Sequence, residues 1–264
     1  MAFTVVSYNV LATAYIKPEW YPFTPSALLQ DERRIPAIVD YVVRLQADIL
    51  CLQEVEEPMF AAIDQRLCAL GYRGQLTRKS QGKPDGCATF VQERSFQLVY
   101  LKRVEYRDAH GDQPDSGHIA QILVLQDGQC FLGVANTHLK WDPPQAPPQR
   151  QYGYRQMRQL LSECAVQSAG CVGWLVCGDL NVTVDSEVVK ALHAAGFTFS
   201  HVSCPDTATC NSNRRAKMID YVFHNAALRA KPLPGAMVGD ETPLPGADQP
   251  SDHVAVVAQC EWLR

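Results

Sequence analysis

The sequence has no excess of positive charge. Its 264 residues include 24 Lys and Arg against 28 Asp and Glu, which gives a formal net charge of -4 at pH 7. Proteins that bind nucleic acid without sequence preference attract it through a broad, positively charged surface. The composition therefore excludes a general polyanion-binding protein, and any contact with nucleic acid must be local.

The sequence also lacks long hydrophobic runs and a regular cysteine pattern. No apolar run approaches the roughly 18 residues of a transmembrane helix, and no basic segment precedes the short apolar run that ends at Asn9, so we expect neither a membrane span nor a signal peptide. The ten cysteines are about 4% of the chain, below the roughly 8–10% of disulfide scaffolds. Their irregular spacing excludes a zinc knuckle. We expect reduced, mostly buried thiols and a cytoplasmic protein.

The composition that is present predicts a globular α/β protein. With 47% hydrophobic and 20% charged residues, the chain has enough apolar surface to fold, and its length fits one catalytic domain over residues 1–264. Short β-branched runs alternate with helix-like segments, which is typical of α/β proteins. The predicted strands cover residues 3–8, 48–52, 87–92, 96–105, 118–125, 131–135, 174–177, 219–223 and 254–258. The predicted helices cover residues 30–46, 58–70 and 151–165.

The connections between these elements predict how the sheets are built. Four of the strands follow one another between residues 88 and 135 with short connections, which predicts an antiparallel meander. Two mixed, largely antiparallel sheets with helices outside would accommodate all of the elements. The Pro- and Gly-rich segments 141–149 and 231–250 are predicted to be long surface loops.

Polar side chains stand where the predicted strands end. The first strand runs into Ser7-Tyr8-Asn9 and the second into Gln53-Glu54, and later strands end at Asn136-Thr137-His138 and Gly178-Asp179-Leu180-Asn181. The strand ends along one edge of a sheet are where α/β proteins place their sites. We therefore expect these side chains to meet in one cleft.

Two further segments bring carboxylates and a histidine to the same set. Asp220 lies inside an apolar strand, where an unpaired charge is costly, and Asp252 and His253 precede the last strand. The candidate donors are Asn9, Glu54, Asp179, Asn181, Asp220, Asp252, His138 and His253. Oxygen donors in this proportion, without a thiolate, suit Mg²⁺ or Mn²⁺ rather than Zn²⁺. A metal held in this way is typical of phosphoester cleavage. The other histidines have no such context and are interpreted as surface or ordinary core residues.

The motifs, taken in order, resemble those of the endonuclease/exonuclease/phosphatase superfamily over nearly the whole chain. They are Ser7-Tyr8-Asn9-Val10-Leu11-Ala12, Cys51-Leu52-Gln53-Glu54-Val55, Asp85-Gly86-Cys87-Ala88-Thr89-Phe90, Asn136-Thr137-His138-Leu139, Gly178-Asp179-Leu180-Asn181, Ile219-Asp220-Tyr221-Val222-Phe223 and Ser251-Asp252-His253. The residues after Asn9, the Gly-Cys-Ala run and the segment from His138 to Pro143 are most similar to the branch of carbon-catabolite-repressor deadenylases, nocturnin, Angel proteins and the mitochondrial 2′-phosphodiesterase.

The resemblance implies a fold and a role for each residue. The fold would be a four-layer α/β/β/α sandwich of two mixed sheets. Glu54 would be the main metal ligand, assisted by Asn9 and Asp252, and Asp179 would position and deprotonate the attacking water. Asn181 and His138 would hold the phosphate oxygens. His253 would contact the same phosphate, oriented by Asp220.

One feature of the branch is incomplete in this chain. Relatives that trim poly(A) resemble one another in stacking the terminal base between a proline and an aromatic residue. Pro143 is present here, but the second position falls in residues 213–217, which contain no aromatic side chain. Stacking on an aromatic face contributes about 1–3 kcal/mol per base, so its loss should weaken base recognition. Trp141, Pro143 and Arg215 remain candidate substrate-binding residues.

Two basic segments leave alternatives open. An arginine in residues 213–217 could replace part of the stacking or bind a phosphate, or the segment could be a solvated loop. Arg155 and Arg158, three residues apart, would share a helix face that either follows a nucleic-acid backbone or faces solvent.

The sequence therefore predicts a metal-dependent phosphoesterase. The first hypothesis is an RNA 3′–5′ exonuclease or an RNA 3′-end-processing phosphodiesterase. The alternative is a phosphatase that acts on a 2′-phosphate or a 2′,3′-cyclic phosphate of a nucleotide or RNA end, since the surrounding loops decide the substrate. A non-catalytic nucleic-acid-binding module is a third hypothesis, disfavoured because every chemical position keeps a competent side chain. The expected partner is an RNA 3′ end or a nucleotide, with no obligate protein partner.

Overall fold

The structure is a computed structural model and describes residues 2–143, 145–167, 170–202, 204 and 207–263. Pro144, which belongs to the predicted loop 141–149, lies outside these residues. The strands are β1 Ala2–Asn9, β2 Ile49–Glu56, β3 Tyr72–Arg78, β4 Asp85–Gln92, β5 Gln97–Glu105, β6 Ile119–Asp127, β7 Cys130–His138, β8 Gly173–Asp179, β9 Phe197–Phe199, β10 Cys210–Ser212, β11 Arg215–Lys217, β12 Asp220–Asn225, β13 Leu228–Pro232 and β14 Val256–Trp262. The helices are α1 Asp31–Arg44, α2 Glu57–Cys68, α3 Tyr152–Gln167 and α4 Glu187–Ala194.

The strands form two six-stranded sheets and one small hairpin. The first sheet has the order β13-β14-β1-β2-β4-β3, the second has the order β5-β6-β7-β8-β12-β9, and β10 pairs with β11. In the two large sheets the β1–β2 and β7–β8 pairs are parallel and the other pairs are antiparallel. The prediction of two mixed, largely antiparallel sheets is confirmed.

Three apolar clusters show how the layers stack. One cluster packs α1 and α2 on the outer face of the first sheet, another packs α3 and α4 on the outer face of the second, and a third fills the space between the sheets. Hydrophobic residues therefore occupy both faces of each sheet, as burial of two-sided sheets requires. This arrangement is the predicted α/β/β/α sandwich.

The predicted four-stranded meander is wrong at its first strand. β4 belongs to the first sheet and β5 to the second, so only β5, β6 and β7 form the meander. Phe96, in the short connection, is buried between the sheets, with its ring 5.1 Å from that of Phe3. This buried ring holds the chain as it crosses from one sheet to the other. Loop length alone cannot distinguish such a crossing from a hairpin.

Several elements were not predicted because they are short or lie at an edge. The edge strand β3 is largely polar and pairs with β4. Of its residues, only Tyr72 and Thr77 are buried. The strands β9, β10, β11 and β13 and the helix α4 span only three to eight residues each. Segments of this length contain too few apolar positions to show a period.

The two parallel pairs place the polar strand ends at one edge of the sandwich. Asn9 stands opposite Gln53 in the first sheet, and His138 stands opposite Asp179 in the second. A Cβ atom at Gly178 would lie 1.9 Å from the carbonyl oxygen of Thr137, so only glycine permits this approach of β7 and β8.

A buried amide pair joins the sheets beneath these strand ends. Gln53 Nε2 donates to Asn136 Oδ1 at 2.9 Å, and Asn136 Nδ2 donates to backbone oxygens of the first sheet at Leu52 and Ala88. Because buried amides require partners in fixed directions, this pair sets the register of one sheet against the other.

The cysteine side chains are mostly buried. All ten cysteines are described, no disulfide joins them, and six are buried, as predicted. No helix in the described ranges is long and apolar enough to cross a bilayer.

Candidate active site

Asn9 lies at the centre of the site, where the ends of three strands meet. Its amide nitrogen donates to Glu54 Oε1 and to Asp179 Oδ2, each at 3.0 Å. Asn9 ends β1 and Glu54 lies in β2, whereas Asp179 ends β8 of the other sheet. One buried amide therefore connects two carboxylates across the gap between the sheets.

A break in the β2–β4 pairing directs Glu54 toward Asn9. The register shifts between Leu52 and Val55, and Glu54 has a φ of 57°. A bulge re-aims a side chain, and positive φ in a non-glycine residue is a strained conformation found often at functional sites. The backbone N–H of Ala12 then donates to Glu54 Oε2 at 2.9 Å, which fixes the carboxylate in the cleft.

Both carboxylates are harder to ionise than usual. Burial raises the pKa of Glu54, although Lys79 opposes this shift. Burial, followed by the nearby charge of Asp220, raises the pKa of Asp179 to about 7. Removal from water thus disfavours the ionised form of each carboxylate. A divalent cation would favour the ionised form of both carboxylates, so this donor set fits a metal ion.

His253 and Asp220 form a buried ion pair on the second sheet's side of the cleft. Asp220 Oδ2 accepts from His253 Nδ1 at 2.8 Å and from the Thr209 hydroxyl at 2.6 Å. Although burial disfavours the charged ring, Asp220 and its neighbours raise the pKa of His253 well above the usual value. His253 Nε2 lies 3.8 Å from Asp179 Oδ2. The ring is therefore held as a cation with Nε2 toward the cleft.

His138 and Asn181 form a second, neutral pair. Asn181 Nδ2 lies 2.9 Å from the carbonyl oxygen of Leu139 and 3.0 Å from His138 Nε2. A carbonyl oxygen only accepts, so the amide nitrogen must face it, and His138 Nε2 must be the acceptor. Burial, with the neighbouring cations Lys79 and His253, lowers the pKa of His138 well below its usual value. With Nε2 as the acceptor, the proton of this neutral ring lies on Nδ1, so the approach of Lys79 Nζ to Nδ1 at 3.4 Å is a contact between two donors and not a hydrogen bond.

Lys79 is a buried cation beside the site that was not predicted from the sequence. Its Nζ lies 2.6 Å from Asp85 Oδ2 and 3.4 Å from His138 Nδ1. The Tyr15 hydroxyl donates to Asp85 Oδ1 at 2.7 Å. Asp85 belongs to a motif of the resemblance, but nothing in the sequence around Lys79 separates it from a surface lysine after an edge strand.

Two side chains outside the predicted set, Tyr21 and Ser251, fix Asp252 and the segment around it. The hydroxyl of Tyr21, a residue of the loop after β1, donates to Asp252 Oδ2 at 3.1 Å. Ser251 Oγ donates to the carbonyl oxygen of Asn9 at 2.7 Å, which joins the segment before β14 to the end of β1. Ser251 belongs to the motif Ser251-Asp252-His253, whereas the position of Tyr21 near the site depends on the path of its loop.

His118, which was interpreted as a surface or ordinary core residue, lies against the site. Its ring is buried and meets the His138 ring edge-on, with 5.9 Å between centroids. Burial and the charges of Lys79 and Lys83 lower the pKa of His118 to about 2. It is a neutral packing partner that holds the His138 ring in place.

Carboxylates and imidazoles that could bind a cation lie in three overlapping groups, and within each group the donor atoms are within 4.8 Å of one another. The groups are Glu54, His138 and Asp179; Asp179, Asp220 and His253; and Asp252, His253 and Cys210. The Asn9 amide presents its nitrogen to both carboxylates, and its Oδ1 accepts from the N–H of Leu11. To coordinate a cation through oxygen, the Asn9 side chain would have to rotate by half a turn.

The predicted substrate-binding residues lie outside this cluster. Trp141, Pro143 and Arg215 are exposed, the first two after β7 and the third in β11, and none contributes a donor to the grouped atoms. Arg155, considered as a backbone-binding residue, instead donates to the carbonyl oxygens of Asp108 and Gln149, which gives it a structural role.

The sequence is similar to that of named proteins over almost its whole length. The chain is 28% identical to the CCR4-Not complex 3'-5'-exoribonuclease subunit Ccr4 of Candida albicans, over 97% of this chain and 41% of that protein. It is 26% identical to the carbon catabolite repressor protein 4 homolog 4 of Arabidopsis thaliana, over 99% of this chain and 78% of that protein. It therefore spans less than half of the Candida relative.

A solved structure and a family comparison extend this result. The crystal structure of ANGEL2, a 2',3'-cyclic phosphatase, matches the fold with a TM-score of 0.84 at 23% identity, over 98% of this chain and 95% of that chain. Residues 6–253, which include every residue of the site described above, match the sequence model of one family. The chain belongs to the Endonuclease/Exonuclease/phosphatase family.

Proposed function

We propose that this chain is a phosphoesterase that uses Mg²⁺ or Mn²⁺ and acts on the 3′ end of RNA, as a 3′–5′ exoribonuclease or a 3′-end-processing phosphodiesterase. The observation that carries the proposal is the meeting of Glu54 and Asp179 at the amide of Asn9. It places two carboxylates of raised pKa within reach of one divalent ion, with two imidazoles beside them. The relative named as a 3'-5'-exoribonuclease subunit supports RNA as the substrate.

The proposed roles follow from the contacts of each side chain. Glu54, with Asp252 and a rotated Asn9, would hold the metal ion. When bound, the ion would neutralise charge on the phosphoryl oxygens and on the leaving oxygen. Asp179, kept in place by the N–H of Asn181, orients the attacking water and accepts its proton.

His253 and Asn181 would each donate to a phosphate oxygen. His253, held as a cation by Asp220, donates from Nε2 to a phosphate oxygen. Asn181 exchanges its contact with the neutral His138 for a second phosphate oxygen. Lys79 adds positive charge beside His138 without leaving its pair with Asp85.

A phosphatase for a 2′-phosphate or a 2′,3′-cyclic phosphate is the second candidate. The similarity of fold to ANGEL2, named as a 2',3'-cyclic phosphatase, favours it, as does the lack of an aromatic side chain in residues 213–217. The same catalytic groups would serve, because both a terminal phosphate and an internal one carry non-bridging oxygens that a metal ion and hydrogen-bond donors can bind. A non-catalytic binding module is disfavoured because the carboxylates and imidazoles are all present and joined in one site.

One panel of substrates separates these candidates. The protein is incubated with end-labelled RNA that has a 3′-hydroxyl, with RNA that ends in a 2′,3′-cyclic phosphate, and with NADP(H), each with Mg²⁺, Mn²⁺ or EDTA. Stepwise shortening identifies the exoribonuclease, and change of the phosphate without shortening identifies the phosphatase. Absence of turnover in every metal-containing sample would refute both.

Two variants and one control test the residue roles. Glu54→Gln and Asp179→Asn should abolish turnover, whereas Glu57→Gln, the same change at an exposed residue three positions from Glu54, should not. Activity retained in Glu54→Gln or Asp179→Asn would refute the assignment. A cytoplasmic location and the absence of an obligate protein partner remain part of the proposal, and fractionation with co-purification tests them.

A further inference from the structure

The side chain of Cys210 brings a thiol to the active-site histidine. Cys210 is the first residue of β10 and forms an antiparallel bridge with His253. On each side of this bridge a backbone hydrogen bond joins the neighbouring residues, at 2.9 Å and 2.7 Å. The two residues are therefore a non-hydrogen-bonded pair, the kind in which opposite side chains lie closest together and on the same face.

The surroundings of Cys210 differ from those of the other buried thiols near the sheets. Cys51, Cys177 and Cys260 lie in the apolar cluster between the sheets. Cys210 is also buried, with 2% exposure, but it belongs to none of the apolar clusters in the described ranges. A buried cysteine usually acts as a small hydrophobic side chain. Packing in an apolar core is therefore not the role of Cys210.

The thiol completes a group of three different donor types. Donor atoms of Cys210, Asp252 and His253 lie within 4.8 Å of one another, and His253 Nε2 lies 3.8 Å from Asp252 Oδ1. Tetrahedral Zn²⁺ binds sulfur, nitrogen and oxygen at about 2.0–2.3 Å, so its ligand atoms stand roughly 3.3–3.8 Å apart. Side-chain movements of about 1 Å would therefore bring the three atoms to the distances that a zinc ion requires.

His253 already has the orientation of a zinc ligand. Its Nδ1 donates to Asp220 Oδ2 at 2.8 Å, so Nε2 is the nitrogen that remains for a metal ion. Histidines that bind zinc donate from their other ring nitrogen to a carboxylate or carbonyl oxygen in the same way. A zinc ion on Nε2 would replace the proton there, and its own charge would then compensate Asp220.

We propose that Cys210, Asp252 and His253 bind Zn²⁺ and that the bound ion blocks the cleft to phosphate. A thiolate selects Zn²⁺ over Mg²⁺, which prefers six oxygen ligands. Binding releases one proton from the Cys210 thiol and one from His253 Nε2 to solvent. The ion occupies the nitrogen that would donate to phosphate and a carboxylate that would hold Mg²⁺. Inhibition by zinc rests on the proposed function, whereas the zinc site itself does not.

Cobalt binding tests the site without turnover. Co²⁺ can replace Zn²⁺ in tetrahedral sites, and a thiolate ligand gives it a charge-transfer band in the near ultraviolet. Co²⁺ is titrated into the full unsubstituted chain and into Cys210→Ala. The band should appear with one equivalent of Co²⁺, disappear when Zn²⁺ is added, and be absent in Cys210→Ala. A band that persists in the variant, or no band in the unsubstituted protein, overturns the proposal.

Three further variants separate this site from other places where cobalt could bind. Cys68→Ala and Cys130→Ala make the same substitution at exposed thiols and should keep the band. Glu54→Gln removes the main proposed Mg²⁺ ligand and should also keep the band, because Glu54 is not in the group with Cys210. Loss of the band in any of the three overturns the proposed ligand set.

X-ray absorption identifies the ligands in the unsubstituted protein, even if Cys210→Ala does not fold. With one equivalent of Zn²⁺, the spectrum should show one sulfur neighbour at about 2.3 Å and nitrogen or oxygen neighbours at about 2.0–2.2 Å. A shell of nitrogen and oxygen alone overturns the proposal.

Inhibition keeps the zinc site and the proposed function apart. With the substrate found in the panel and a fixed Mg²⁺ concentration, Cys210→Ala should raise the Zn²⁺ concentration that halves turnover by at least about 10-fold. Loss of a ligand's outer partner alone weakens metal binding by about 10- to 100-fold, and loss of the ligand itself should cost no less. Equal inhibition of both proteins refutes the zinc site alone. If no substrate is turned over, the proposed function fails, and the cobalt and X-ray measurements still decide on the site.

Discussion

Asp179 and Asp220 stand opposite each other in β8 and β12, on either side of the His253 ring. Asp220 binds the ring at Nδ1, whereas Asp179 faces Nε2 at 3.8 Å. Burial raises the pKa of Asp179 most, and the like charge of Asp220 raises it further. One carboxylate thus sets the protonation of the histidine and also influences the carboxylate that would bind water.

The substitution Asp220→Asn should lower kcat by about 10²- to 10⁴-fold, in the range of a lost acid–base contribution. The amide can still accept a hydrogen bond from Nδ1 but cannot stabilise a positive ring. Steady-state kinetics on the substrate found in the panel measures the loss, and the ¹⁵N shifts of His253 at pH 7 report its charge. Asp185→Asn, at an exposed position, is the control. A cationic His253 with full activity in Asp220→Asn would contradict this role.

Metal binding should stabilise the fold through Glu54. Adding Mg²⁺ in excess of its Kd should raise the Tm, since a ligand of the folded state stabilises by about 2.7 kcal/mol at 100 times Kd, and EDTA should reverse the effect. Glu54→Gln should abolish the Mg²⁺-dependent rise without lowering the Tm of the metal-free protein, because it replaces a carboxylate whose pKa burial has raised. Differential scanning fluorimetry gives both values. An undiminished Mg²⁺ shift in the variant would remove Glu54 from the metal site.

Lys79 and Asp85 should depend on each other for stability. Lys79→Met leaves Asp85 buried without its cation, which should cost about 3–5 kcal/mol of the free energy of unfolding. Arg78, the residue before Lys79, forms an exposed ion pair with Glu57. Arg78→Met breaks this pair and should lower the free energy of unfolding by less than about 1 kcal/mol. Urea denaturation of both variants and of Lys79→Met/Asp85→Leu measures the difference. The double variant should recover most of the loss, and equal costs in the two single variants would disprove the pairing.

His118 should make the stability of the folded protein depend on pH. Its pKa is lowered to about 2 in the folded protein, whereas an unfolded histidine titrates at about 6.5. The folded ring stays neutral while the unfolded one gains a proton, so its contribution to stability is complete above about pH 6.5 and is lost as the pH falls toward 2.

The substitution His118→Asn should remove the part of the pH-dependent loss of stability that comes from this histidine. The variant should be less stable than the unsubstituted protein at pH 8, and the gap should narrow by about 2 kcal/mol between pH 6.5 and pH 4.5. Urea denaturation at several pH values measures it. His110→Asn, at an exposed histidine of the same loop, is the control. A gap that stays constant with pH would show that His118 titrates normally.

The sequence predicts the layers of this fold because both faces of each sheet are apolar. Runs such as Val5-Val6 and Leu50-Cys51-Leu52 are buried on both sides, and such runs are recognisable without knowledge of their neighbours. The crossing at Phe96 was not predictable, because a four-residue connection fits a hairpin equally well. Nor was β3, whose polar residues form a strand only because β4 offers an edge to pair with.

The residues of the site also fall into those that the sequence predicts and those that it does not. Asn9, Glu54 and Asp179 stand at strand ends, so parallel pairing brings them to one edge, and the sequence shows each of them in a motif. Lys79 and Tyr21 reach the site from loops, and their positions depend on where those loops fold back. The orientation of the Asn9 amide is a further example, because only the two carboxylates on either side determine which of its atoms faces them.

The division of the site between two sheets has a consequence for how this protein gains its activity. The first sheet supplies Glu54 and the second supplies Asp179, and the Gln53–Asn136 amide pair beneath them fixes their alignment. Neither half is useful by itself, so catalytic competence must arise only when both halves have docked. Regain of turnover during refolding therefore reports the closure of the whole sandwich, and a fragment that contains one sheet should be inert even if it keeps its secondary structure.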